Sequence, residues 1–165
     1  MSEFYQAEFL VFSSRFFIRF GVYFKYQNNG VIIMAVDNIY TYFPGKGYNC
    51  AEALLNFAND EFSLNLTKDE MRLVSAFGGG MGCGEACGAL CGAISAIGYM
   101  TVKTKAHDTP ELKPLCQKYV KAFSEELGGI NCRDLKPKHF TEEKRCSVIT
   151  ETAARLLVEL MEESK

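Results

Sequence analysis

The 165-residue sequence predicts a mostly α fold, a single-domain compact bundle of about five helices with a glycine-rich start to its central helix. Three observations lead there. Asn or Thr followed three residues later by Glu recurs ahead of apolar runs, the signature of a capping box. The apolar residues of those runs return at helical spacing, and from residue 37 onward no alternating pattern is long enough for a strand. At this length folding removes about 70% of the accessible surface, enough for a self-sufficient core.

The elements follow in order. Ten of the 21 aromatic residues lie between Phe4 and Tyr26. Phe9, Phe12, Phe16, Phe20 and Tyr23 recur at near-helical spacing with Arg15, Arg19 and Lys25 off the stripe, which predicts an amphipathic surface helix. Residues 1–36 read as an aromatic-rich N-terminal appendage, with Met34 a plausible natural start, and residues 37–165 as a cysteine-rich helical domain. Asn49 with Glu52 opens a helix running to about Asp60. Thr67 with Glu70 opens the next, whose stripe of Met71, Val74 and Phe77 stops at Gly78–Gly80. The stretch from Gly84 to Thr101 forms the long central helix, on which Gly84, Gly88, Gly92 and Ala96 repeat every four residues. Glycine costs about 1 kcal/mol against alanine inside a helix, so this smooth stripe predicts a close helix-to-helix contact. Thr109-Pro110-Glu111 starts another helix, with Pro110 at its first position, and Gly128-Gly129 stops it. Thr141-Glu142-Glu143 opens the last, where Val148, Ile149, Thr152, Ala153, Leu156, Leu157 and Leu160 make a broad apolar face.

Composition removes several function classes. Eighteen basic against 20 acidic residues give a net charge of −2, leaving no basic excess for nucleic acid or anionic lipid. Arg15 and Arg19 cut every apolar run short of the roughly 20 residues a membrane span needs. Glu3 and Glu8 stand where a secretory signal carries basic residues, so the expected location is cytoplasmic. The glycine cluster around Gly80 fits neither a G-x-G-x-x-G register nor a phosphate loop. His107 and His139, the two histidines, lie in polar, proline-flanked stretches and read as solvent-exposed. Lys136-Pro137-Lys138 reads as a short basic turn.

Seven cysteines are the anomaly. In a reducing cytosol, patterned cysteines serve more often as metal ligands or redox centres than as staples. Cys83, Cys87 and Cys91 are spaced by four, so those within the helix share a face. Cys50, Cys87 and Cys146 fall near helix starts, where the positive end of the dipole favours a thiolate. Thiol redox chemistry and metal ligation both require such thiolates. Glu85, two residues before Cys87, is a candidate for orienting a thiol, although an acidic residue in a first turn is ordinary dipole complementation; Glu52 reads as a capping partner.

Gly47-Tyr48-Asn49-Cys50-Ala51-Glu52-Ala53, Phe77-Gly78-Gly79-Gly80-Met81-Gly82, Cys87-Gly88-Ala89-Leu90-Cys91-Gly92, then Cys132 and Cys146, resemble the redox-active protein family with the C_GCAxxG_C_C cysteine signature. The likeness covers roughly Asp37 to Leu160. It implies a small, mostly helical, prokaryotic type of protein whose four signature cysteines map to Cys50, Cys87, Cys132 and Cys146, with Cys83, Cys91 and Cys116 extra. By the same resemblance a related domain occurs in split-Soret cytochromes with an iron-containing centre. No Cys-x-x-Cys-His is present, so c-type haem is not expected.

Two readings of the four cysteines follow. In the first they cycle between dithiol and disulfide with an unknown redox partner, low-pKa thiols at helix starts attacking. In the second, Cys50, Cys87, Cys132 and Cys146 ligate an iron-sulfur cluster in an electron carrier. Zinc ranks third: a closed four-thiolate site suits it chemically, but its ligands normally come in close pairs, which are absent here. A structural role, free cysteines filling helix contacts, suits Cys116 and Cys91 better than the four. The leading helix or the glycine face offers a surface for a homodimer.

Overall fold

The computed structural model describes residues 23–27, 30–34 and 39–164. Strands β1 (Tyr23–Gln27) and β2 (Gly30–Met34) form an antiparallel hairpin in which Tyr23 faces Met34 and Gln27 faces Gly30. Most of the expected amphipathic helix lies outside the described residues. Its last aromatic, Tyr23, opens β1 instead, in line with the preference of Tyr and Phe for extended backbone.

The body is helical, with seven α-helices among the described residues rather than about five. They are α1 (Ile39–Tyr42), α2 (Cys50–Glu61), α3 (Lys68–Met71), α4 (Gly88–Thr101), α5 (Leu112–Leu127), α6 (Cys132–His139) and α7 (Ser147–Glu163). Both capping boxes form: Asn49 Oδ1 accepts from the Ala51 and Glu52 amides while Glu52 accepts from the Asn49 amide, and Thr67 and Glu70 repeat the exchange. After α3 the chain tightens into a 3₁₀ turn over Arg72–Phe77, so the second expected helix is split.

The remaining differences have local causes. Helix α4 begins at Gly88, four residues later than the stripe suggests, because Gly80–Gly84 makes a wide turn closed by the Glu85 amide on the Gly80 carbonyl, 3.0 Å. Gly84 therefore stands off the stripe, with φ +83°. Helix α5 starts at Leu112, not Pro110; the Thr109 hydroxyl donates to the Lys105 carbonyl and does not cap. Helix α7 starts at Ser147 because Thr141 and Arg145 bond each other across a tight turn, and Thr141 Oγ1 accepts from the Lys144 amide within it. Val148, expected on the apolar face, is 45% exposed. Helix α6 has no counterpart among the expected helices, since Pro137 inside it argued for a turn. It forms around Leu135, which is fully buried, and its C-terminal side chains are used by its neighbour: Lys138 Nζ donates to the Gly128 carbonyl, and His139 Nε2 lies 3.0 Å from that of Leu127. His139 is thus half-buried at the end of α5, where polar side chains meet the last carbonyls. His107 is exposed.

The core lies between α2, α4, α5 and α7, with Leu54, Phe57, Ile97, Phe123 and Leu157 fully buried. Its closest contact is the one the glycine stripe predicts. A Cβ on Gly92 would stand 2.4 Å from the Ala51 carbonyl oxygen, and one on Gly88 2.5 Å from Cys50 Sγ. Only glycine lets α4 press against the first turn of α2, and that contact sets where Cys50 sits.

Candidate redox site

Each of the four signature cysteines stands at the N-terminal end of a different helix. Cys50 is the first residue of α2 and Cys132 the first of α6, while Cys87 and Cys146 occupy the caps of α4 and α7. Sequence reasoning located three of these positions and lacked the fourth because α6 was read as a turn. All seven cysteines are free thiols.

Two further devices draw the four together. Ala86 and Asn131 pair as an isolated antiparallel bridge. Around it the Cys87 amide donates to the Ile130 carbonyl, 2.8 Å, and the Cys132 amide to that of Glu85, 2.7 Å, which ties the start of α4 to the start of α6. The Gly80–Gly84 turn then folds over Cys132: a Cβ on Gly80, at φ +66°, would lie 2.7 Å from the Cys132 Cβ and 2.5 Å from the Glu85 oxygen. A side chain there is excluded both by space and by backbone conformation. Arg133 clamps the same turn, donating to the carbonyls of Gly84 and Cys83 at 3.3 Å each and pairing with the Glu85 carboxylate. Glu85 lies outside the first turn of α4, so its charge complements Arg133 and not a helix dipole.

Cys50, Cys132 and Cys146 line one pocket of about 350 Å³. Cys87 lies beside them, 4% exposed. Cys50 is the thiol common to the group, since its charge acts on Cys87, Cys91, Cys132 and Cys146 alike. Its sulfur rests against Gly88, one residue from Cys87. The pocket wall also carries Arg133, Lys136 and Arg145, with no carboxylate among its lining residues. Lys136 sits over the Phe140 ring at 4.8 Å and Arg145 over that of Phe43 at 5.7 Å. Sequence reasoning passed over these cations. The available signal was their position: Lys136 follows Cys132 by one helical turn, and Arg145 directly precedes Cys146.

The expectation of lowered thiol pKa values at Cys50, Cys87 and Cys146 fails at Cys87 and Cys146, and Cys132, for which none was made, is raised as well. Burial, then the neighbouring Cys50, pushes the Cys87 thiol up to about 12, although the amides of Leu90 and Ala89 pull the other way. Burial, then Cys50 and Cys132, pushes Cys146 up to about 11 against Lys136 and Arg145. Cys132 is raised by burial and then by Cys50. Desolvation of a thiolate can shift a pKa by several units, whereas a helix terminus supplies typically 0.3–1 kcal/mol, so burial prevails.

Cys91, inside α4, and Cys116, inside α5, line no part of this pocket. Cys83 is exposed on the glycine turn, its sulfur 3.4 Å from the Gly80 carbonyl. Of the three cysteines spaced by four, only Cys91 lies inside the helix. Among the described residues no three His, Cys, Asp or Glu side chains are arranged to hold a single metal ion, and no helix is long and apolar enough to cross a membrane.

A family model described as "Putative redox-active protein (C_GCAxxG_C_C)" matches residues 48–160, which include all four signature cysteines and every cation of the pocket. No curated protein and no solved structure matches the chain.

Proposed function

Because the chain belongs to the C_GCAxxG_C_C family of redox-active proteins, we propose that its redox centre is the four-cysteine pocket and its reaction is thiol-disulfide exchange in the cytoplasm. The observation that carries this reading is the convergence of Cys50, Cys132 and Cys146 on one pocket with Cys87 buried beside them. Four thiols brought from four helix termini to one place exceed what filling helix contacts requires.

Cys50 is the attacking residue and Cys87 the resolving one. The Cys50 thiolate attacks one sulfur of a partner disulfide; that S–S bond breaks, and the departing thiolate takes up a proton. The Cys87 thiolate then attacks Cys50 Sγ in the mixed disulfide, forming the Cys50–Cys87 bond and releasing the second partner thiol. Two electrons and two protons pass from the protein dithiol to the partner disulfide. Burial of Cys87 slows its ionisation and also keeps other thiols from competing for the mixed disulfide.

A second reading is favoured by the donor set and the charge around it. Four thiolates with Lys136 and Arg145 beside them suit an anionic iron-sulfur cluster, which would be held by Cys50, Cys87, Cys132 and Cys146 and would supply one-electron transfer. The cations and the exclusion of carboxylates would then stabilise the negative charge of the four ligands.

The deciding experiment is iron and acid-labile sulfide on anaerobically purified protein, read with its visible spectrum and with disulfide mapping after oxidation. A colourless protein that forms a Cys50–Cys87 disulfide supports exchange. Stoichiometric iron and sulfide with charge-transfer bands replace that reading with the cluster.

A further inference from the structure

We infer that the cysteine pocket selects an anionic partner, a small thiol or disulfide carrying carboxylates. The inference rests on the exchange reading for what the partner does and on the pocket wall for what the partner is. The chain is net negative, yet the charged residues lining this pocket are Arg133, Lys136 and Arg145 alone. Arg133 is neutralised by Glu85. Lys136 and Arg145 have no carboxylate partner among the described residues, and each is held in place over an aromatic ring. Both are close enough to act on the Cys146 thiol, and Lys136 also acts on Cys132.

Two unpaired cations beside a cluster of thiols raise the local concentration of anions at the pocket. A volume of about 350 Å³ lies within the range of small-molecule sites, at its lower end, which suits a peptide-sized thiol better than a protein surface. In the reaction, Cys50 attacks one sulfur of the carboxylate-bearing disulfide, its S–S bond breaks, and Cys87 closes the protein disulfide. The two small thiols leave with the two electrons and two protons, their carboxylates facing Lys136 and Arg145 throughout.

The test separates this charge preference from the exchange reaction. The full chain is alkylated with iodoacetate or with neutral iodoacetamide, and the rate at each cysteine is read by mass spectrometry. At 10 mM ionic strength the iodoacetate-to-iodoacetamide ratio at Cys50, Cys132 and Cys146 should exceed that at Cys116, whose surroundings mix Lys121 with Glu125 and Asp134, by about tenfold or more. The excess should shrink at 150 mM, where screening acts over about 8 Å. It should vanish in K136Q/R145Q, two exposed positions, with folding checked by circular dichroism. An equal ratio at all four cysteines overturns the inference. So does an excess that survives in K136Q/R145Q, and so does failure of the pocket thiols to label in the native protein while they label fully when denatured. Glutathione disulfide and cystamine, opposite in end charge, are then compared. Faster reaction of glutathione disulfide completes the case. Reaction with neither, beside a clear iodoacetate preference, overturns the exchange reading and leaves the anion preference standing.

Discussion

Cys50 and Cys116 are both half-buried thiols on helices, yet they differ in company: Cys50 acts on four other cysteines, whereas burial alone raises the thiol of Cys116. Under the proposed reaction Cys50→Ser abolishes the redox signal, read as the loss of the reversible two-thiol change in a thiol titration. Cys116→Ser leaves that signal unchanged, and equal losses from both would dismiss the assigned centre. The Cys87 thiol, near 12, adds a dependence on pH. Below that value its thiolate fraction rises about tenfold per pH unit, so the closing step, followed by rapid mixing, should accelerate by that factor between pH 7 and 8. Stability moves the opposite way. The ordinary thiol value is 9.0, while Cys87 and Cys146 hold their protons to about 12 and 11. Above pH 9 the unfolded chain therefore binds fewer protons than the native one, and stability falls from there through the folded values. Denaturant midpoints measured from pH 7 to 11 should decline from about pH 9, and a flat profile would mean the two thiols are not buried.

At the level of elements, the contact between α2 and α4 does the positioning. It brings Gly88 against Cys50 and Gly92 against Ala51. Gly92→Ala forces a Cβ into the Ala51 carbonyl and should cost roughly 1–3 kcal/mol or more, as overpacking does, measured by urea unfolding. Gly98→Ala, on the same helix with open space around it, should be neutral or stabilising by up to about 1 kcal/mol. Loss of stability in both would show that the glycines matter for some reason other than close approach. Arg133 belongs to this scale as well. Its ion pair is exposed and worth about 0–1 kcal/mol, so Arg133→Ala should barely move the melting temperature. It should nevertheless quicken alkylation of Cys132, because the Gly80–Gly84 turn loses its clamp. An unchanged labelling rate would make the turn rigid without Arg133.

For the whole molecule, every buried core residue among those described falls between Ile39 and Leu160. If residues 1–36 are an appendage, as their composition suggests, a chain starting at Met34 should keep a cooperative transition like that of the full chain, checked by circular dichroism. Insolubility or a much lower melting temperature would make residues 1–33 part of the fold. The charges follow the same division. Exposed pairs such as Arg72 with Asp69 and Lys118 with Glu163 are spread over the surface, while the uncompensated cations Lys136 and Arg145 line the cysteine pocket.

Much of this was legible in the sequence for a physical reason: capping, helical periodicity and signature spacing are local. Asn49 and Glu52 lie three residues apart, and their exchange of hydrogen bonds needs no other part of the chain. The glycines of α4 announced a close neighbour because their intrinsic cost demands compensation. The mostly helical class, the helix start at Cys50, and family membership all rest on such short-range terms. What the tertiary structure alone decided is long-range. Thr141 and Thr109 carry capping side chains that were drawn into other bonds, and α6 forms despite Pro137 because Leu135 finds a core. The thiol pKa values at Cys87 and Cys146 reversed from expectation because burial depends on which elements cover a side chain, and no spacing encodes that. Lys136 and Arg145 became the pocket's charge only when α6 and the turn before α7 were brought beside Cys50, about 90 residues away in the chain.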